Sequence, residues 1–250
     1  MTKGVKKFIE ENIDAIEQGD FGKIYKDADF IIDVPKLTES FLEAGINPLQ
    51  NLTHIPNSYL CETDIKEFTV PSHIIRIGAS AFWACEILNK VMLPEGLVSI
   101  DKDAFAECHN LWQINFPSTL ENIGEDAFAE TNLHHVVIPD LVGVIPRHCF
   151  ENCEQLETVK LGKFCHRVAS RAFAECDKLY SIQLNEGLEE IGAYAFSECY
   201  ALKEIYIPES VIKISQFPFH KIEDKILVIC TKNSYTQRWC EANKQKYELI

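Results

Sequence analysis

No run of apolar residues in this 250-residue chain approaches the roughly 20 that a membrane-spanning helix needs, so no membrane insertion is expected. Positive charge is scarce too: 24 lysines and arginines against 38 carboxylates leave a formal net charge of −14. A nucleic-acid binder needs a basic stripe to neutralise phosphates, and an anionic membrane surface makes the same demand, so neither partner is expected. Also missing are a glycine-rich phosphate loop, a nucleophile elbow and a triad pattern, so no enzyme activity, catalytic residue or cofactor is expected. The opening stretch, MTKGVKKFIEENIDAIEQGD, places charged residues where a secretory signal would be apolar. A cytoplasmic location is therefore expected, with the cell surface or secretion as the alternative.

What the chain does have is a period. Phenylalanine recurs at Phe82, Phe105, Phe128, Phe150, Phe173, Phe196 and Phe219, with gaps of 23, 23, 22, 23, 23 and 23 residues. A fixed period in the twenties marks a solenoid, in which each repeat buries its apolar face only against its neighbours. Pro71, Pro94, Pro117, Pro139 and Pro208 keep step at one corner, with Gly162 and Asn185 standing in at two copies. Cys85, Cys108, Cys153, Cys176 and Cys199 each follow a phenylalanine by three residues. Within a copy, Ile205 and Ile207 alternate with Glu204 and Tyr206, the period of a strand with one buried face, and Pro208 then ends it. Equivalent strands of successive copies should form a parallel sheet, and the rings should stack into an aromatic spine. The copy containing Phe128 is one residue short and carries Thr131 at the cysteine position; the shortening is expected to tighten a turn without shifting the strand register.

These residues, in PEGLVSIDKDAFAEC, FPSTLENIGEDAFAET and LNEGLEEIGAYAFSEC, resemble the BspA-like class of leucine-rich repeats over roughly residues 55–225. The resemblance implies a right-handed, strand-rich solenoid, mainly β, and a protein-binding role with no catalytic residues in the motif. Residues 1–54 read as an α-helical N-terminal cap preceding about seven repeats and a degenerate first coil, with Leu60 standing where Phe150 stands. Residues 226–250 read as a strand-helix C-terminal cap: a strand over Lys225–Cys230, a helix opened by Ser234, and a last apolar turn from Tyr247 to Ile250. The N-terminal segment is similar to the heads of short leucine-rich repeat proteins of gut bacteria and their phages.

Cys149 and Cys153 beside His148, and the pair Cys165-His166, raise a metal or redox reading. Repeat membership already explains Cys149 and Cys153, and zinc sites need paired ligand units, so no metal is expected. The thiols are expected reduced, each donating to a turn carbonyl. Function must then lie at positions the repeat leaves free. The outward positions include Lys66, Thr69, Asn115, Thr158, Ser181 and Glu204. The partner-binding set is Lys90, Met92, Trp112, Gln113, His134, His135, Val137, Lys160, Tyr180, Gln183, Lys203 and Tyr206. An apolar and aromatic stripe rimmed by charge is the composition of a protein interface. The expected role is a protein–protein interaction module, an inhibitor or adaptor of bacterial or phage origin acting as a monomer. A surface adhesin or carbohydrate binder, stacking sugars on Trp112, Tyr180 and Tyr206, is the alternative.

Overall fold

The structure, a computed structural model, describes residues 11, 12, 14, 15, 38, 40–42 and 45–250. The expected N-terminal helices fall largely outside the described residues; of that region, Phe41 is buried in the same core as Leu49 and Leu52. From residue 54 onward each coil contributes a short strand to each of two faces. The first face, here the strand face, is built by β2 (Glu67–Thr69), β4 (Lys90–Met92), β6 (Gln113–Ile114), β8 (His135–Val137), β10 (Thr158–Lys160), β12 (Ser181–Gln183), β14 (Glu204–Tyr206), β16 (Leu227–Cys230) and β17 (Tyr247–Leu249). The second face is built by β1 (His54–Ile55), β3 (Arg76–Ile77), β5 (Ser99–Ile100), β7 (Asn122–Ile123), β9 (Val144–Ile145), β11 (Arg167–Val168), β13 (Glu190–Ile191) and β15 (Lys213–Ile214). Every pairing is parallel and joins equivalent residues of successive coils, as in Thr158↔Ser181 and Arg167↔Glu190. The solenoid expected from the period is therefore present, and β1 pairing with β3 gives the degenerate first coil its place in the ladder.

The spine forms as the phenylalanine period predicts. Rings from Phe82 to Phe219 lie 5.1 to 6.0 Å apart between neighbours, with interplanar angles of 2° to 17°. All are buried, and burying each ring contributes about 1.5–3 kcal/mol. The turn that carries each ring bends through two left-handed residues, such as Asp126 and Glu130 or Arg171 and Glu175. Its cysteine points inward: the thiols of Cys85, Cys108, Cys153, Cys176 and Cys199 donate to carbonyls of Leu60, Phe82, Phe128, Phe150 and Phe173 at 2.9 to 3.2 Å. Thr131 and Thr63 fill the same slot with a hydroxyl that donates to the carbonyl three residues back. Burial pushes the Cys153 thiol up to about 11 and the Cys199 thiol up to about 12, which keeps both protonated and donating. Cys61 alone among the ten cysteines is not fully buried. A thiol reagent is thus expected to modify Cys61 quickly and the other nine only on unfolding, read by mass spectrometry with time. Fast modification of several would mean that the cysteine column is open to solvent.

At the C-terminal end, β16 is followed by α1 (Tyr235–Asn243), whose N-cap Ser234 accepts a hydrogen bond from the Gln237 amide at 3.1 Å. Trp239 meets the last ring, Phe219, edge to face at 6.3 Å. The stretch expected as a final apolar turn is instead strand β17, which extends the strand face by pairing with β16. Alternation places Tyr247 half-buried, and Glu248 takes its register from Ile229, so the chain end is more ordered than its composition suggests.

Candidate interaction surface

On the strand face the middle residue of each strand points inward and its neighbours outward, the consequence of a two-residue side-chain period. One outward column runs Glu67, Lys90 and Gln113, then His135, Thr158 and Ser181. The next outward column runs Thr69 and Met92, then Val137, Lys160 and Gln183, with Tyr206 further along. The predicted binding residues all fall on this face or at its leading edge. Trp112 and Tyr180 are 54% and 55% exposed and Val137 is 61% exposed, with Met92 exposed as well. His134 lies 3.7 Å from the Glu157 carboxylate, and His135 shares a hydrogen bond with the Thr158 hydroxyl at 3.0 Å.

Three expectations on this face need correction. Lys66 precedes the strand: register pairs Glu67 with Lys90, so Glu67 holds the outward position assigned to Lys66. Asn115 turns its amide back on the previous coil, accepting from the Leu93 amide and donating to the Leu93 carbonyl, both at 2.8 Å. Tyr206 is half-buried, and its hydroxyl donates to the Glu186 carboxylate at 3.3 Å, so it is less available than Trp112 or Tyr180.

The stripe is not one uninterrupted sheet. The strand face divides into β2–β4–β6, β8–β10–β12 and β14–β16–β17, and the second face divides into β1–β3–β5–β7 and β9–β11–β13–β15. Both faces therefore break between the coil of Gln113–Ile123 and the coil of His135–Ile145, beside the shortened copy. Past the shortened copy the register still pairs equivalent residues, as in His135↔Thr158, but the ladders beside that copy open. Two residues and a deletion account for this. Pro146 has no N–H, whereas its equivalents Gly124, Ala169 and Gly192 donate to the carbonyl of the coil before at 2.8 to 2.9 Å. Phe116 occupies a slot filled elsewhere by buried Val70, Leu93, Ile138 or Leu161; its ring meets Phe128 edge-on at 5.2 Å and stays only half-buried. The missing residue shortens the path to Leu133. Only the turn edge still crosses the boundary, through Asp126, Phe128 and Glu130 amides donating to Arg147, Cys149 and Glu151 carbonyls.

The result is a wedge. Its strand-face mouth is an open cleft of about 790 Å³ lined by Glu95, Ile114, Phe116, His135, Val137, Asp140, Leu141 and Phe164 among others. A second mouth of about 430 Å³ opens between β7 and β9 and shares Leu141 with the first. Leu141 and Phe164 take the same corner position in successive coils, where other copies carry His73, Gly96, Thr119, Gly187 or Ser210. Both are exposed, at 46% and 56%.

Elsewhere, Asp126, His148 and Glu151 bring ligand-type atoms within 4.8 Å of one another, the one such trio among the described residues. Glu151 also accepts from the Arg171 Nε at 2.6 Å, and Arg171 reaches on to Glu175. A guanidinium on the shared carboxylate opposes a second cation there, and the trio reads as part of an ion-pair ladder along the turn edge. Among the described residues no helix is long and apolar enough to cross a membrane.

The comparisons agree with this geometry. The sequence matches the BspA type leucine rich repeat region, in six copies, over residues 53–177 and 121–246. Among curated proteins, none matches. A leucine-rich repeat protein from Eubacterium ventriosum is similar in structure, with a TM-score of 0.59 and 27% identity over 66% of this chain. The present chain spans 45% of that protein's length. The T. pallidum leucine rich repeat protein is similar with a TM-score of 0.57 and 30% identity, covering 60% of this chain and 72% of its own. Period, proline corner, Ala-Phe pair and inward cysteine, each now placed in one coil, lead to the same conclusion: the chain belongs to the BspA-type leucine-rich repeat family.

Proposed function

We propose that the chain is a protein-binding module that engages its partner through the strand face. The observation that carries this reading is the row of exposed large apolar side chains, Met92, Trp112, Val137 and Tyr180, at positions the repeat leaves free. A solenoid needs none of them for its core, and tryptophan and tyrosine are the residues enriched at binding hot spots. Single exposed apolar residues are ordinary, but four on one face of the stack make an extended contact surface. Lys90, Lys160 and Lys203 rim it and supply charge for orientation.

The test compares the wild-type chain with a Trp112→Ser/Tyr180→Ser variant. Both side chains are exposed, so circular dichroism and melting temperature should be unchanged. Affinity capture from the native host, with mass spectrometry, should recover a protein on the wild type that the variant loses. A hot-spot truncation costs about 2 kcal/mol or more, roughly thirtyfold in affinity per site, which calorimetry on the recovered partner would read. Recovery of the same protein with equal affinity by both chains would remove the strand face from the reading. Release of the captured protein by simple sugars would favour carbohydrate recognition instead.

A further inference from the structure

We infer that the wedge between β6 and β8 is a seat for an extended peptide segment of a protein partner, one that carries a large apolar side chain beside a basic residue. This rests on the reading of the strand face as a protein-binding surface and names the chemistry that one part of it selects. Four observations converge there.

The first is backbone. No backbone hydrogen bond crosses from β6 to β8, although Trp112 and Gln113 amides donate to the Asn89 carbonyl of the coil before them, and Glu157 and Thr158 amides to the His134 carbonyl of the coil before them. Two facing strand edges inside a stack are thus left without a ladder partner, and an extended peptide satisfies such edges by main-chain hydrogen bonding. The second is volume. A cleft of about 790 Å³ falls within the roughly 300–1,000 Å³ typical of binding clefts. The third is lining. Ile114 and Phe116 form the half-buried floor, while Val137, Leu141 and Phe164 stand exposed at the mouth, a concentration of apolar surface with no use in the repeat. The fourth is charge. The charged side chains among the lining residues are Glu95 and Asp140, with His135 on the wall. Among the described residues Glu95 accepts from Ser118 and Asp140 from the Lys163 amide, and neither carboxylate meets a cation in an ion pair. The corner's own lysine, Lys163, lies over the Phe164 ring at 5.3 Å from its centre. An apolar anchor entering this mouth therefore finds carboxylates waiting for a lysine or arginine next to it, in a chain whose net charge of −14 already draws basic partners.

The probe is a library of displayed random heptapeptides selected on the immobilised full chain, followed by synthesis of the selected peptides and measurement of their affinity by fluorescence anisotropy. Selected peptides should pair an aromatic or aliphatic residue with an adjacent lysine or arginine. A Val137→Ser/Leu141→Ser/Phe164→Ser variant should weaken them about thirtyfold or more, with unchanged circular dichroism because all three residues are exposed. Trp112→Ser/Tyr180→Ser should leave that affinity within about threefold, since neither side chain lines the wedge. Repeating the selection on Glu95→Lys/Asp140→Lys should turn the preference from basic to acidic flanks, a change that mere loss of stability does not produce. Peptides lost with Trp112 and Tyr180 but indifferent to the wedge variant would overturn this inference and leave the strand-face reading standing. Selection of no peptide, or of peptides without basic flanks, would overturn it as well. So would concentration-dependent self-association in sedimentation that the wedge variant abolishes, because a second copy would then be the occupant.

Discussion

Phe128→Ala and Phe173→Ala are each expected to lower the stability of the folded chain by about 3–5 kcal/mol in urea melts. Each ring is fully buried and stacked on both sides, Phe128 between Phe105 and Phe150 at 5.4 Å, Phe173 between Phe150 and Phe196 at 5.4 and 5.9 Å. Truncation removes the transfer energy of the ring and leaves a cavity that the neighbouring coils close only in part. Phe219→Ala should cost less: it has one stacked neighbour, Phe196 at 6.0 Å, and on the other side the Trp239 indole, edge-on at 6.3 Å, which can shift toward the gap. Small and equal losses at all three positions would mean that the ladders, not the rings, hold the coils together.

Gly124→Ala carries the second large effect. A β-carbon there would lie 2.3 Å from the Lys102 amide nitrogen, 2.4 Å from the Asp101 carbonyl carbon and 2.7 Å from the Lys102 α-carbon. All three are main-chain atoms of the preceding coil, so none can swing aside, and the coil must move. Overpacking costs about 1–3 kcal/mol where side chains can adjust, and the loss here should sit at or above the top of that range. Gly187→Ala is the control: its β-carbon would approach the Asn185 side chain at 3.2 Å and the Lys163 carbonyl at 3.5 Å, contacts that a small adjustment relieves. Denaturation midpoints that coincide for the two variants would show that successive coils do not approach as closely as Gly124 requires.

Much of this fold was legible because the repeat states each requirement several times over. Seven phenylalanines in register specify one ring position, and the inward cysteine follows from its fixed offset. Where a leucine anchors the count the strand phase is legible, though not how far a side chain folds back, as Asn115 and Tyr206 do. The slip in phase, at Lys66, came in the copy that opens with Ile65, where no leucine marks the count. Non-glycine residues in left-handed turns, such as His148 and Tyr194, were not foreseen, because no glycine or asparagine signal announces them. The wedge was missed for a different reason. Its three causes were each visible as single departures from the pattern, a deletion before Leu133, Phe116 in an aliphatic slot and Pro146 in a donor slot. Taken one at a time, each is a tolerable variation; only their coincidence on neighbouring coils opens both ladders at once.

That coincidence bears on how the chain comes apart. In a stack whose stability is a sum of nearest-neighbour terms, cooperativity is only as strong as the weakest junction. Across the wedge what remains lies along the turn edge: three main-chain bonds, the Cys153 thiol donating to the Phe128 carbonyl, and one ring contact of 5.4 Å between Phe128 and Phe150. The coils before Phe128 and those after Leu133 should therefore behave as two foldons, each cooperative within itself and loosely coupled to the other. Amide exchange would show this as two families of opening free energies with a boundary at the wedge. An occupant that clamped both walls would fuse the two into one.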